Sequence, residues 1–92
     1  MDVDELLRAV AHPARREILR LCSPGRQAAG TLADALGLAP ASTSEHLKVL
    51  RKAGLVELEK QGTFRWYRTN PAPLRWLARY LTDFSDIGGI SQ

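Results

Sequence analysis

The stretch Ala39-Pro40-Ala41-Ser42-Thr43-Ser44-Glu45-His46-Leu47-Lys48-Val49-Leu50-Arg51-Lys52-Ala53 decides the fold, and the rest of the chain reads as its support. Pro40 suits a first helical position, where its fixed φ is already helical and its missing N–H is not needed. From there Thr43, Leu47, Leu50 and Gly54 share one helical face at i, i+4, i+7 and i+11. The opposite face carries Ala41, Ser42, Glu45, Lys48, Val49 and Lys52, with Ser44 and His46 on its flanks. A helix that buries a narrow leucine seam and shows small hydroxyls, an imidazole and cations outward suits a DNA groove. Small residues near its start let the backbone approach phosphate, and the helix dipole favours the anion there. Taken alone, the pattern describes an amphipathic surface helix equally well. The flanks decide between the two.

Upstream, Asp2 caps a first helix with Glu5 in the capping-box position, and Val3, Leu6, Leu7 and Val10 form its apolar stripe. His12-Pro13 breaks the chain and starts a second helix, because proline disfavours helical geometry in the residue before it. Ala14, Ile18, Leu21 and Cys22 line that helix's inner face, while Arg15, Arg16 and Arg20 point elsewhere. Two arginines in a first turn oppose the dipole, so they are either solvated or met by an acidic neighbour or a phosphate. Ser23-Pro24-Gly25 ends the helix and Gly30 closes a short connection. Thr31 with Asp34 then opens a third helix holding Leu32, Ala33 and Leu36, which Gly37 terminates. Only Leu38 and Ala39 separate it from Pro40. Two short helices joined by a glycine-containing turn are a helix-turn-helix, the second being the recognition helix.

Downstream, Gly54 ends the recognition helix. Leu55 to Lys60 reads as a strand with Val56 and Leu58 on one face and Glu57 and Glu59 on the other. Gln61-Gly62 makes a turn, and Thr63 to Thr69 returns as an aromatic strand. The hairpin is a wing whose tip offers Lys60, Gln61 and Thr63, with Arg65 and Arg68 behind, to phosphate or a minor groove. Asn70-Pro71 caps a last helix in which Leu74, Leu77, Leu81 and Phe84 recur at the spacing of a packed helix pair. Trp76 and Tyr80 add a second apolar stripe. That surface exceeds what one small domain covers, which calls for a partner subunit. Positions 1–84 form one domain, and the segment from Ser85 to Gln92 is expected to be a flexible tail.

Composition is consistent with this. Ninety-two residues make one domain with little surplus stability. The net charge of +3 is too mild to specify an anionic partner by itself. The single cysteine excludes an intramolecular disulfide and fits a reducing compartment. With no apolar run of membrane length and an acidic start unlike a signal peptide, the chain is expected to be cytoplasmic and to meet no membrane.

Read together, these pieces resemble the ArsR/SmtB family of bacterial winged-helix repressors. The likeness rests on Ala11-His12-Pro13-Ala14-Arg15-Arg16-Glu17-Ile18-Leu19, on Leu32-Ala33-Asp34-Ala35-Leu36-Gly37-Leu38, on the run from Ser42 to Val56, and on Gly62 with Trp66-Tyr67. It implies an α+β fold, mainly helical with a β-hairpin wing, in the order α-α-α-α-β-β-α. It implies a homodimer through the first and last helices, here Val3, Leu6, Leu7, Leu74, Leu77, Tyr80, Leu81 and Phe84. The ligand implied is double-stranded operator DNA of pseudo-palindromic sequence, and binding would repress the protein's own operon from a nucleoid-associated position. By place in the motif, Ala41, Ser42, Ser44, Glu45 and His46 would meet bases or the groove. Thr31, Lys48, Arg51, Lys60, Gln61, Thr63 and Arg65 would meet the backbone. The family usually carries Ser and Gln where this chain has Ala39 and Pro40, so one cap and one base contact are lost. Glu45 either accepts from a cytosine amino group or pairs with a neighbouring arginine.

Metal-sensing members carry cysteines in the third helix, or Asp and His on the last. Here the third helix has Leu32 and Ala33, and the last offers Asp83 and Asp86 without a histidine, a poor set for soft or borderline metals. No metal or other cofactor is expected, and the effector, small molecule or protein, is left open. An enzyme is not supported: two histidines and one cysteine form no recognisable catalytic set. The rival is a winged helix used for protein docking. Between Glu45 and Arg68 the cations Lys48, Arg51, Lys52, Lys60, Arg65 and Arg68 outnumber three glutamates, which favours DNA.

Overall fold

A computed structural model describes residues 1–89, with side chains through position 85. The elements run α1 (Val3–Val10), α2 (Pro13–Leu21), β1 (Gln27–Ala28), α3 (Ala29–Leu36), α4 (Pro40–Lys52), β2 (Val56–Gln61), β3 (Phe64–Thr69) and α5 (Pro71–Gly89). Helices α2, α3 and α4 enclose a core that includes Ile18, Leu32, Leu47 and Leu50, and the sheet closes it with Val56 and Tyr67. Two side-chain and backbone links tie sheet to helices. Thr69 Oγ1 donates to Leu19 O at 2.8 Å, and Thr69 N donates to Cys22 O, at the end of α2, at 3.2 Å.

Helix starts follow the expected chemistry at three places. The Asp2 carboxylate accepts from Glu5 N at 3.1 Å, His12 Nδ1 accepts from Ala14 N at 3.1 Å, and Asn70 Oδ1 accepts from Ala72 N at 3.2 Å. Each satisfies an N–H that the helix itself leaves without a partner. The third helix departs from expectation. It begins at Ala29 after Ala28, without a side-chain cap, and Thr31 and Asp34 lie inside it. The reason is a third strand. Gln27 and Ala28 pair antiparallel with Tyr67 and Trp66, so the sheet runs β1-β3-β2 and the chain passes directly from it into α3. Two residues are too few to show any alternation in sequence. Gly37, at φ 66°, ends α3 as expected.

The wing turn also shifts by one residue. Gln61 pairs with Phe64, leaving Gly62 and Thr63 as a two-residue loop, with Gly62 at φ 58°. A positive φ at the first central residue alone is the requirement of a type II′ hairpin turn, which glycine meets without strain. At the other end of the chain, α5 continues past 84 to Gly89, through the start of the expected tail. The rest of that tail, 90–92, lies outside the described residues.

The arginines at the start of α2 are met by backbone carbonyls rather than by an acid, with Arg15 half-buried and Arg16 exposed. Arg15 donates to Ala9 O at 2.8 Å and Arg8 O at 2.9 Å, and Arg16 to Val10 O at 2.9 Å. They cover carbonyls in the last turn of α1, where the dipole is negative. Part of the expected subunit seam is likewise used within the chain. Leu6 (1% exposed) and Leu77 (6%) are core residues, because α1 packs on α5 of the same chain. Val3 and Leu74 are half-buried against that core. Leu7 (37%), Trp76 (38%), Leu81 (44%) and Phe84 (55%) remain exposed.

Candidate nucleic-acid interface

Helix α4 buries Thr43, Leu47 and Leu50 and exposes Ala41, Ser42, Ser44, Glu45, Lys48, Val49, Arg51 and Lys52. Buried Thr43 is satisfied by donating to Ala39 O at 3.2 Å, back along its own helix. Lys48, Arg51 and Lys52 surround one shallow depression at the C-terminal end. Glu45 lies 3.6 Å from Lys48, so its nearest cation is a lysine one turn along rather than an arginine. Both groups are well exposed, and such a pair is worth little to stability.

His46 is not on this free face. It is half-buried, with its ring centroid 4.5 Å from that of His12 and its Nδ1 3.4 Å from Arg15 Nη1. Its pKa is held below the ordinary value, first by burial and then by His12 and Arg15, whose charges disfavour a second cation. Helical spacing placed it on the flank of the outward face. The packing of α2 against α4 turned that flank inward, so His46 is a neighbour of α2 rather than a free groove residue.

Thr31 is exposed in the first turn of α3. With Thr63, Phe64 and Arg65 of the wing it lines a groove of about 350 Å³, bringing three of the expected backbone contacts to one place. Lys60 and Arg65 face each other across the hairpin and both are exposed. Gln61 is partly engaged, accepting from Arg26 Nη2 at 3.3 Å. Arg26 also pairs with Glu59 at 2.9 Å and lies over the Trp66 ring at 4.5 Å. Sequence reasoning missed Arg26, since nothing in the pattern before β1 marks it as part of the wing.

Among the described residues, no three of His, Cys, Asp and Glu gather as a metal would need. Asp83 lies 3.6 Å from Arg79, and the Asp86 side chain is outside the described residues. Cys22 is fully buried, and burial pushes its thiol up to about 11, which keeps it from acting as a nucleophile.

Comparison with known proteins bears on this geometry. A helix-turn-helix domain family matches residues 10–59. The transcriptional repressor SdpR of Bacillus subtilis is 28% identical, covering 94% of this chain and 96% of its own. The HTH-type transcriptional regulator Rv2034 of Mycobacterium tuberculosis is 37% identical over 91% of this chain and 86% of its own. The solution structure of the homodimeric winged helix-turn-helix DNA-binding domain Mb0332 from Mycobacterium bovis, described as a possible ArsR-family regulator, is 29% identical. It superimposes with a TM-score of 0.74 over 91% of this chain and 79% of its own.

The chain belongs to the ArsR/SmtB family. It is a transcriptional regulator with a DNA-binding winged helix-turn-helix, and its relatives are regulators rather than enzymes. In an ArsR/SmtB regulator built this way, α3 and α4 are the two helices of the motif and α4 is the one shaped for a groove. The hairpin β2–β3 is the wing. No helix among the described residues is long and apolar enough to cross a membrane.

Proposed function

We propose that the protein is a homodimeric repressor of its own operon that binds a pseudo-palindromic operator and carries no metal-sensing site. The observation that carries this is the free face of α4: small residues Ala41, Ser42 and Ser44 toward its start, then Lys48, Arg51 and Lys52 toward its end. Small side chains admit close approach to base edges, and the cations hold flanking phosphates. Thr31, Thr63 and Arg65 add a second backbone contact beside the wing. A dimer is supported by the exposed Leu7, Leu81 and Phe84, by the Trp76–Tyr80–Phe84 stack along α5, and by the homodimeric Mb0332 domain. Two recognition helices would then enter major grooves about one helical turn apart. Repression follows the similarity to SdpR, and the place of action is the cytoplasm, at the nucleoid.

The test is a gel-shift titration against DNA from the protein's own promoter region, with excess random competitor at fixed near-physiological salt. Binding that survives competitor supports the repressor. Binding that vanishes with competitor removes it, and a winged helix used for protein docking becomes the better reading.

A further inference from the structure

Three helices meet at one polar junction. The Arg15 guanidinium, in the first turn of α2, holds Ala9 O through Nε at 2.8 Å and Arg8 O through Nη2 at 2.9 Å, both at the end of α1. Its remaining nitrogen, Nη1, lies 3.4 Å from His46 Nδ1 on α4. A guanidinium has donors only, so Nδ1 must accept and the imidazole carries its proton on Nε2. His12 is fixed the same way, because its Nδ1 accepts from Ala14 N, and its ring lies 4.5 Å from that of His46. All three guanidinium nitrogens are thus engaged, which holds the planar group rigidly between α1 and α4.

We propose that Arg15 and His46 are positioning residues that set the angle of α4 against α1, and through it the spacing of DNA half-sites that the dimer accepts. The inference rests on the dimeric DNA-binding reading above. Leu47 and Leu50 hold α4 on the core, but apolar burial is non-directional and leaves rotation of the helix weakly specified. The directional contact on this side of α4 is the one to Arg15. Helix α1 in turn packs on α5, whose outer face exposes Trp76, Leu81 and Phe84 for the second subunit. A continuous chain of contacts therefore runs from the subunit face through α1 and Arg15 to His46. Freeing the junction loosens the angle without removing any DNA contact, so the loss appears in spacing preference rather than in base preference.

The first measurement is the nitrogen NMR spectrum of the imidazoles in the wild-type protein, which expects an unprotonated Nδ1 on His46. A proton on Nδ1 would overturn the junction whatever the protein binds. The second uses a duplex selected from a randomised pool by the wild-type protein, resynthesised with base pairs inserted or removed between its half-sites. Wild type should prefer one spacing. Arg15→Lys and His46→Leu should lose roughly three- to tenfold at that spacing, the worth of one hydrogen bond, and bind the other spacings nearly as well. His46→Gln, whose amide oxygen can accept from Arg15, should keep the wild-type profile. Thermal melts confirm that each variant is folded; should His46→Leu fail to fold, Arg15→Lys retains a charge to cap α1 and carries the test. An unchanged spacing profile in folded Arg15→Lys overturns the proposal. If wild type selects no duplex, the DNA-binding reading fails with it, while the tautomer result still reports on the junction alone.

Discussion

At the scale of single residues, His46 and Cys22 show what burial does to titratable groups. Folded His46 takes a proton at a lower pH than the ordinary 6.5 of an unfolded chain. As pH falls through 6.5 the unfolded chain gains that proton first, so its contribution lowers stability there and levels off below the folded value. Melting temperatures should therefore fall less steeply below pH 6.5 in His46→Gln than in wild type. An equal slope in the two would detach His46 from the effect. Cys22 works in the opposite direction of pH. Its thiol ionises near 9 when unfolded and at about 11 when folded, so its stabilising contribution is present below 9 and is lost as pH rises through 11. A thiol-specific reagent at neutral pH should modify it only as fast as the chain opens, which stopped-flow labelling beside unfolding kinetics would check. Sequence placed Cys22 on a buried face correctly. It placed His46 outward, because helical spacing gives an angle around one helix and says nothing of which neighbour closes over its flank.

At the scale of elements, Thr31 separates two readings of α3. Expected as a cap, it lies within the helix and beside the wing groove. Thr31→Ala should leave the melting temperature almost unchanged, where loss of a true cap costs about 1 kcal/mol. Its operator affinity should fall with the salt dependence unchanged, because a neutral hydroxyl displaces no counterion. A clear loss of stability would restore the capping role. Thr69 makes the contrasting case. Its hydroxyl is buried and donates to Leu19 O at 2.8 Å, so Thr69→Val should cost about 1–3 kcal/mol by chemical denaturation, by leaving that carbonyl unpaired. The boundaries of α1, α2 and α4 and the glycine end of α3 were legible because caps, prolines and glycines act locally. Strand β1 was not, since Gln27 and Ala28 are a strand only by virtue of Tyr67 and Trp66 opposite them.

At the scale of the whole molecule, the apolar surface divides between the subunit's own core and its partner. Leu77, at 6% exposure, belongs to the core, so Leu77→Asp should unfold the protein rather than produce a monomer, as circular dichroism would show. Phe84→Asp, on the exposed edge of the Trp76–Tyr80–Phe84 stack, should yield a folded monomer with weakened operator binding. Light scattering after gel filtration separates the two outcomes. A Phe84→Asp protein that remains dimeric would move the subunit interface off this face of α5.

The sequence by itself determined the kind of protein this is: the helix-turn-helix with its free face, the wing, the caps and the family all rest on local signals or on an uninterrupted run of matching residues. Periodicity also separated core faces from solvent faces along most of the chain. Only the tertiary structure decided which faces meet. It added β1 to the sheet, gave Arg15 and Arg16 to the carbonyls of α1, drew His46 against α2, and assigned Leu6 and Leu77 to the interior. The physical reason is common to all of these. A side chain's direction along its own helix or strand follows from local geometry, but its partner comes from a distant part of the chain and is settled only when the elements pack.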